Sequence, residues 1–346
     1  MKSFLNIINE PQKIAVYFLK NFSFILFIYN IFYKFKNKKI YYQEIEKRKN
    51  LSIFNYKQLS LPIPYYPIES IKDSNFYGIN HSIKKYTGIK KIKQSFEHGL
   101  YFGNYIPFAT FLKTTKSIIT FSDNRKKYLI LAGIKKPIYV IGPYIHYADI
   151  SLTEKEFRNI KQSLGKTFLF FFSHSIKDFN VEIDVLKLIK KINKIASNYD
   201  SVIVCLYYKD ILNNIYPKYF EDAGFKIVTA GNLYDINFLS RLKLIIQLAD
   251  FTASTSIGTH TGYCVYLNKP HFLIKQKIKI SKDDKTSKIE FRDGNQINLM
   301  EKEINEIIKE FSKYSIHITE SQKQIVNKYW GTSFIKNKDE LKSLLV

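Results

Sequence analysis

The chain has 346 residues, enough for two domains of ordinary size, and 45% of them are hydrophobic, which can fill real cores. Its net charge of +24 favours phosphate-bearing partners: nucleic acid, anionic lipid or a nucleotide sugar. Two cysteines, Cys205 and Cys264, lie far apart inside apolar runs; this excludes a disulfide framework and gives no metal-ligand spacing.

The charge is spread in pairs such as Lys84-Lys85, Lys90-Lys91, Lys126-Lys127 and Lys190-Lys191, and is densest at Lys34–Lys39. That run follows a very apolar stretch, Ile14–Tyr33. Its uninterrupted core, Phe22–Tyr29, is too short for a bilayer, which needs ~20 residues. An apolar helix beside a basic patch can lie in a membrane interface, or it can pack inside a domain. Residues 1–40 keep both alternatives. The prolines of Leu61–Pro67 then impose an extended arm.

Ser95–Gly103 places Glu97 and His98 side by side, followed by Gly99. A His or a carboxylate can deprotonate a hydroxyl if its pKa lies near the working pH. The plainer alternative is a His packed against Phe96, Tyr101 and Phe102. Ser117–Phe121 is expected as a strand. A helix capped by Ser122-Asp123 should run to Ala132 and close at Gly133. Pro137–Ile141 is expected as the next strand. If it is the last of its domain, Tyr144 and His146 lie near a cleft. This first domain spans 1–150. Residues 151–165 form a connector helix with Thr153 as cap and Gly165 as stop.

The second domain is expected over 166–312. Thr167–Phe172 has no alternation, as in a strand buried on both faces. Ser173-His174-Ser175 at its end is a candidate phosphate or catalytic contact. A helix over Val185–Ala196 and a strand over Ser201–Tyr207 follow. Lys209 sits at the ligand-facing edge, where it could meet a phosphate. Lys226–Ala230 is a short strand, Gly231 and Asn232 turn the chain, and Asp235 can cap an amphipathic helix. Phe251–Ser254 is another strand, then a turn of small and hydroxyl residues, a helix over about Thr261–Leu267, and a strand over His271–Ile274. Strand–helix–strand repetition implies parallel sheets, with ligands at the carboxyl ends of the strands. Helices over Met300–Phe311, Ser321–Tyr329 and Asp339–Leu345 end the chain. Residues 313–346 are assigned to C-terminal helices.

The turn at Ser254–Gly262 carries the strongest chemistry. A helix N-terminus attracts anions through free N–H groups and the helix dipole. Gly258 and Gly262 allow close approach. Ser254, Thr255, Ser256, Thr259 and Thr261 add hydroxyls, and His260 adds a donor that can be charged. An ordinary strand-to-helix turn is the alternative.

The run Ala249-Asp250…Ser256…Gly258-Thr259…Gly262…Leu267-Asn-Lys-Pro270 resembles the donor-binding segment of GT-B glycosyltransferases, specifically the bacterial enzymes that build lipopolysaccharide, capsule and related surface glycans. The resemblance implies an α/β chain in which two Rossmann-like domains, each with a mainly parallel sheet, face a cleft. It implies donor phosphates at the Ser254–Gly262 turn and at Ser173–Ser175. Tyr263 stands where many such enzymes hold the ribose, and the loop of Gly231, Asn232 and Asp235 often touches the base. His98 or Glu97 would be the acceptor base, and the C-terminal helices would return to the first domain.

No Gly-x-Gly-x-x-Gly follows a strand, no Walker A motif exists, and no Asp-x-Asp holds a metal. The expectation is a metal-independent glycosyltransferase without cofactor, in the cytoplasm and peripheral on the inner face of the membrane. Its partners would be a nucleotide-sugar donor, a glycan or lipid-linked glycan acceptor and an anionic membrane surface, not nucleic acid. The alternatives are a nucleotide-sugar 2-epimerase of the same architecture and a non-catalytic binder of anionic membrane or nucleic acid.

Overall fold

A computed structural model describes residues 28, 31, 39–63, 72–111, 115–150, 152–172, 179–182, 184–214, 216–276, 279–282 and 294–346. Most of the apolar stretch 14–33, most of Lys34–Lys39, and Ser173-His174-Ser175 lie outside the described residues. Among the described residues no helix is long and apolar enough to cross a membrane.

Helix α1 covers residues 39–49 and α2 Tyr56–Ser60. A 3-10 segment, Lys72–Gly78, leads into α3, Ile79–Thr87. Strands β1 (Ser95–Phe96), β2 (Ile118–Thr120) and β3 (Ile138–Val140) form a three-stranded parallel sheet in that order. Helix α4, Asp123–Leu131, joins β2 to β3. Its cap is Ser122, whose hydroxyl accepts from Arg125 N–H. β1 was not anticipated: two residues are too few to show alternation.

Helix α5, Glu154–Leu164, is capped by Thr153 as expected, here through a capping box with Glu156, and stops at Gly165. It leads into a second, five-stranded parallel sheet. Its strands are β4 (Thr167–Phe171), β6 (Ser201–Cys205), β7 (Lys226–Val228), β8 (Phe251–Ser254) and β9 (His271–Leu273), in spatial order β7-β6-β4-β8-β9. Every residue of β4 is buried, as its unbroken apolar run predicts. The helices on this sheet are α6 (Val185–Ile195), α7 (Tyr208–Leu212), α8 (Pro217–Asp222), α9 (Phe238–Leu248) and α10 (Thr259–Tyr266). β5 (Phe179–Glu182) and β10 (Lys279–Lys282) form a separate antiparallel pair.

The chain passes outward from β4 through β6 to β7, then returns to the other side of β4 through β8 to β9. The strand order therefore reverses between β4 and β8. A crevice opens there, at the carboxyl ends of the strands, and such a switch point is where α/β sheets take ligands. Two parallel α/β sheets with a cleft is the architecture expected from the sequence.

The last helices tie both sheets together. They are α11 (Gly294–Phe311), α12 (Glu320–Trp330) and α13 (Lys338–Leu345). α13 packs on α3, and Gln94 Nε2 donates to Leu345 O at 3.1 Å. Trp330 is fully buried against Gly262 of α10, and its Nε1–H donates to Thr259 O at 3.0 Å. A Cβ at position 262 would overlap the indole ring. Gly262→Ala is therefore expected to destabilise the protein by about 1–3 kcal/mol through overpacking. Gly99→Ala, which meets open space, should change stability by less than about 0.5 kcal/mol. Urea unfolding of the two variants beside the parent checks this.

Candidate active-site cleft

A cavity of about 330 Å³ lies at the switch point. Its lining includes the carboxyl ends of the second sheet: Phe171-Phe172 at the end of β4, Cys205–Tyr207 at the end of β6, and Thr229–Gly231 after β7. One side is the turn Ser256–His260 that opens α10. The lining also includes the loop His98–Phe102, which follows β1 of the first sheet, and Tyr77. Both sheets therefore contribute to one cavity.

The turn is shaped from behind. Ser254 is buried, and its Oγ donates to Ser256 O at 2.8 Å. His271 of β9, 1% exposed, contacts Ser254 Oγ through Nε2 at 3.1 Å and Thr252 Oγ1 through Nδ1 at 2.8 Å. Burial pushes the His271 pKa well below the usual histidine range, and the nearby His260 adds to that. Thr261 N–H bonds Gly258 O, and Thr261 Oγ1 accepts from Gly258 N–H at 3.3 Å. The first turn of α10, which begins at Thr259, stands at the helix's positive end. The His260 ring stacks on Phe171 with centroids 4.5 Å apart. A Cβ at Gly258 would come within 2.7 Å of that ring, so the small residue lets His260 fold over the turn.

The loop after β1 is clamped at both ends. Glu97 and Arg125 are buried and paired: Arg125 Nη2 lies 2.6 Å from Glu97 Oε1, and Nε lies 3.0 Å from both carboxylate oxygens. Thr120 Oγ1 donates to Glu97 Oε2 at 2.7 Å. Gly103 N–H donates to buried Glu303 of α11 at 2.7 Å, and Gly103 O accepts from Arg125 Nη1 at 3.4 Å. Glu303 also accepts from Asn124 and Tyr128. Between these clamps His98 is half-buried. Its ring lies edge-on to Phe76 at 4.9 Å and within 3.4 Å of the Tyr101 hydroxyl.

The cavity brings together His98, Gly231, Ser256, Gly258, Thr259, His260 and Tyr263 from the expected set. Other expected residues turn inward. Glu97 is held by Arg125 and Thr120 and lies outside the cavity lining. Tyr144 is buried, with its hydroxyl donating to Ile119 O at 3.1 Å. His146 contacts Tyr266 Oη at 2.6 Å and lies outside the cavity lining, with its pKa lowered by burial. Asp235 is buried, paired with Arg241 at 2.8 Å, and accepts from Asn237 N–H. Asn237, not Asp235, is the cap of α9. Asn232 is buried; its Oδ1 accepts from Tyr234 N–H and its own N–H bonds Leu59 O. Ser254 and Thr261 are spent on the turn itself, and Thr255 and Lys209 lie outside the lining.

Tyr77 and Tyr207 were missed. Tyr77 adopts φ +59°, rare for an aromatic residue, because its N–H reaches Leu233 O at 2.8 Å and Gly78 sits against the Ile236 carbonyl. Its hydroxyl bonds Tyr207, and burial raises its pKa to about 12. In a chain with 26 tyrosines neither stood out. Among the described residues no group of three or more His, Cys, Asp or Glu could hold a metal.

The chain matches no protein-family model and no curated protein. It is similar to solved structures of UDP-GlcNAc 2-epimerases. That of Methanocaldococcus jannaschii is 14% identical, with 67% of this chain and 61% of that chain covered and a TM-score of 0.34. That of Neisseria meningitidis bound to UDP-GlcNAc is 13% identical, with 62% and 60% covered and a TM-score of 0.32. The chain is also similar to the S. aureus MnaA–UDP structure, at 12% identity, with 81% of this chain and 88% of that chain covered and a TM-score of 0.34. The chain spans about three-fifths of the length of the first of these.

The clamp yields a stability prediction. Arg125→Met leaves the Glu97 carboxylate buried without its cation and should cost roughly 3–5 kcal/mol. The double variant Arg125→Met/Glu97→Leu removes both charges and should recover much of that loss. Denaturant unfolding of the single and double variants measures the difference.

Proposed function

We propose that the cleft binds a nucleotide-activated sugar and that the chain is an enzyme acting on it. One observation carries the proposal: His98, from the loop after β1 of the first sheet, and the first turn of α10, on the second, line a single cavity. The diphosphate would lie against the N–H groups of Thr259 and His260, with the Ser256 and Thr259 hydroxyls as further donors. As the bond between sugar and diphosphate breaks, negative charge grows on the leaving oxygen. A helix N-terminus aimed at that point favours the charge before it forms. Tyr77, Tyr207 and Phe238 offer apolar faces for a base or sugar ring. Ser173, His174 and Ser175 directly follow Phe171-Phe172 of the cavity lining and are proposed to add phosphate contacts.

Two forms of this activity are distinguished by whether a second substrate is needed. In glycosyl transfer to a bacterial surface glycan, of the lipopolysaccharide or capsule type, His98 removes the proton of the attacking hydroxyl. The basic surface and residues 1–40 would then bring the enzyme to an anionic membrane carrying the acceptor. In the second form the sugar of the nucleotide sugar is itself converted, as a 2-epimerase does; that is the activity named for the similar solved structures, two of which hold UDP-GlcNAc. This form needs neither acceptor nor membrane. Incubating UDP-GlcNAc with the protein alone separates the two: an altered sugar without acceptor supports the epimerase form, and an intact donor consumed only with a glycan acceptor supports transfer.

Binding tests both forms at once. Calorimetry with UDP, GDP, CMP, CDP, ADP and a short RNA should find one nucleotide bound far more tightly than the rest, weakened by Ser256→Ala and His260→Ala. His98→Ala should keep that affinity and lose about 10²–10⁴-fold in turnover. Binding of none of the nucleotides, with RNA bound at a steep salt dependence, would discard this function for a basic-surface binder.

A further inference from the structure

Beneath the phosphate turn, four hydrogen-bond contacts share three protons. Thr252 Oγ1 lies 2.8 Å from Pro270 O and 2.8 Å from His271 Nδ1. Ser254 Oγ lies 2.8 Å from Ser256 O and 3.1 Å from His271 Nε2. Each hydroxyl has one proton to donate, and a neutral imidazole has one. Both carbonyls can only accept. With a neutral ring, then, one of the four contacts sets two lone pairs against each other. A doubly protonated ring resolves this: it donates from both nitrogens, and each hydroxyl passes its own proton on to a carbonyl.

The surroundings oppose that charge in the free protein. Thr252, Ser254 and His271 are all buried. His260 of α10 presents its ring 5.7 Å away, and from α11 it is the phenyl ring of Phe311 that faces His271, at 6.1 Å. Cys264 of α10, hydrogen-bonded to Thr252, is kept a thiol by burial, which pushes its pKa up to about 12. Lys269, two residues before His271, and Asp250 act on each other. Among the described residues no carboxylate is among the groups that act on His271, where burial and His260 both favour the neutral ring.

A bound anion supplies what is missing. We propose, on the footing of the anion site argued above, that phosphate binding at the Ser254–Thr259 turn draws one proton from solvent onto His271. The bond formed is a single N–H, and the proton's source is water or buffer. The ring then donates through Nε2 to Ser254 Oγ, which holds Ser254 as a donor to Ser256 O and fixes the turn around the ligand. In the neutral tautomer protonated at Nδ1, Ser254 instead gives its proton to Nε2, and the Ser256 carbonyl is released. His271 is thus a positioning residue that links proton, ligand and turn geometry without touching the ligand.

The sign follows from linkage. A proton taken up on binding means that affinity rises as pH falls towards the ordinary histidine range. UDP contributes the opposite sign: its terminal phosphate titrates near pH ~6, and an anion site favours the form that has lost the proton. Net uptake therefore reports the protein.

The test is UDP titration by calorimetry between about pH 7 and pH 8, in buffers of different ionisation enthalpy, with inorganic pyrophosphate as a second probe. The wild type should take up protons on binding, more so at the lower pH. His260→Gln should bind more weakly and keep the uptake, and His271→Gln should lose it. Should His271→Gln not fold, Thr252→Val removes the Nδ1 partner on the side away from the ligand and should also abolish uptake. UDP bound with no dependence on buffer would overturn the proposal and leave the anion site standing. So would uptake that vanishes in His260→Gln but survives in His271→Gln or Thr252→Val. Failure of both UDP and pyrophosphate to bind would reject the anion site as well.

Discussion

The cleft depends on the buried pair of Glu97 and Arg125. An ion pair out of contact with water is costly to assemble and costlier to break, because removing either charge strands the other. Here the pair has a positional consequence. Arg125 grips Glu97 at one end of the loop and Gly103 O towards the other, while Glu303 of α11 takes Gly103 N–H. His98, one residue beyond Glu97, is thereby held at the cleft by groups that never enter it. Adjacent residues divide the work: the carboxylate turns into the protein and the imidazole turns to the cavity.

The other wall is braced on the same plan. The turn before α10 is fixed from below by Ser254 and His271, and α10 from the side by Trp330. Only a glycine at 262 admits the indole so closely. Since α12 and α13 also pack on helices beside the first sheet, the C-terminal segment connects the two walls. A ligand in the cavity would meet a site whose two sides are supported by buried polar networks and not by flexible side chains reaching from the surface.

Much of this arrangement was legible in the sequence. The unbroken apolar run of β4, the Thr153 cap of α5 and the small-residue turn before α10 each carry a local physical signal, and each forms as its signal indicates. The turn's place in the cavity follows from the strand–helix alternation, which fixes parallel strands and puts their carboxyl ends on one side. Side-chain direction was not legible. Glu97, Tyr144 and His146 carry polar groups that suit a site, but whether such a group faces a cavity or a buried partner is decided by residues distant in the chain: Arg125, Ile119 and Tyr266. Asp235 is turned inward by Arg241, six positions on, a pairing that its place on a turn did not signal. Tyr77 owes its unusual backbone to a contact with Leu233, more than 150 positions away, which no local pattern encodes.

The most direct test is the structure of the complex with UDP. The diphosphate should lie at the first turn of α10, with phosphate oxygens about 3 Å from the N–H groups of Thr259 and His260 and with His98 lining the same cavity. UDP bound elsewhere, such as in the separate cavity bordered by Lys49–Ile53, α5 and α9, would contradict it.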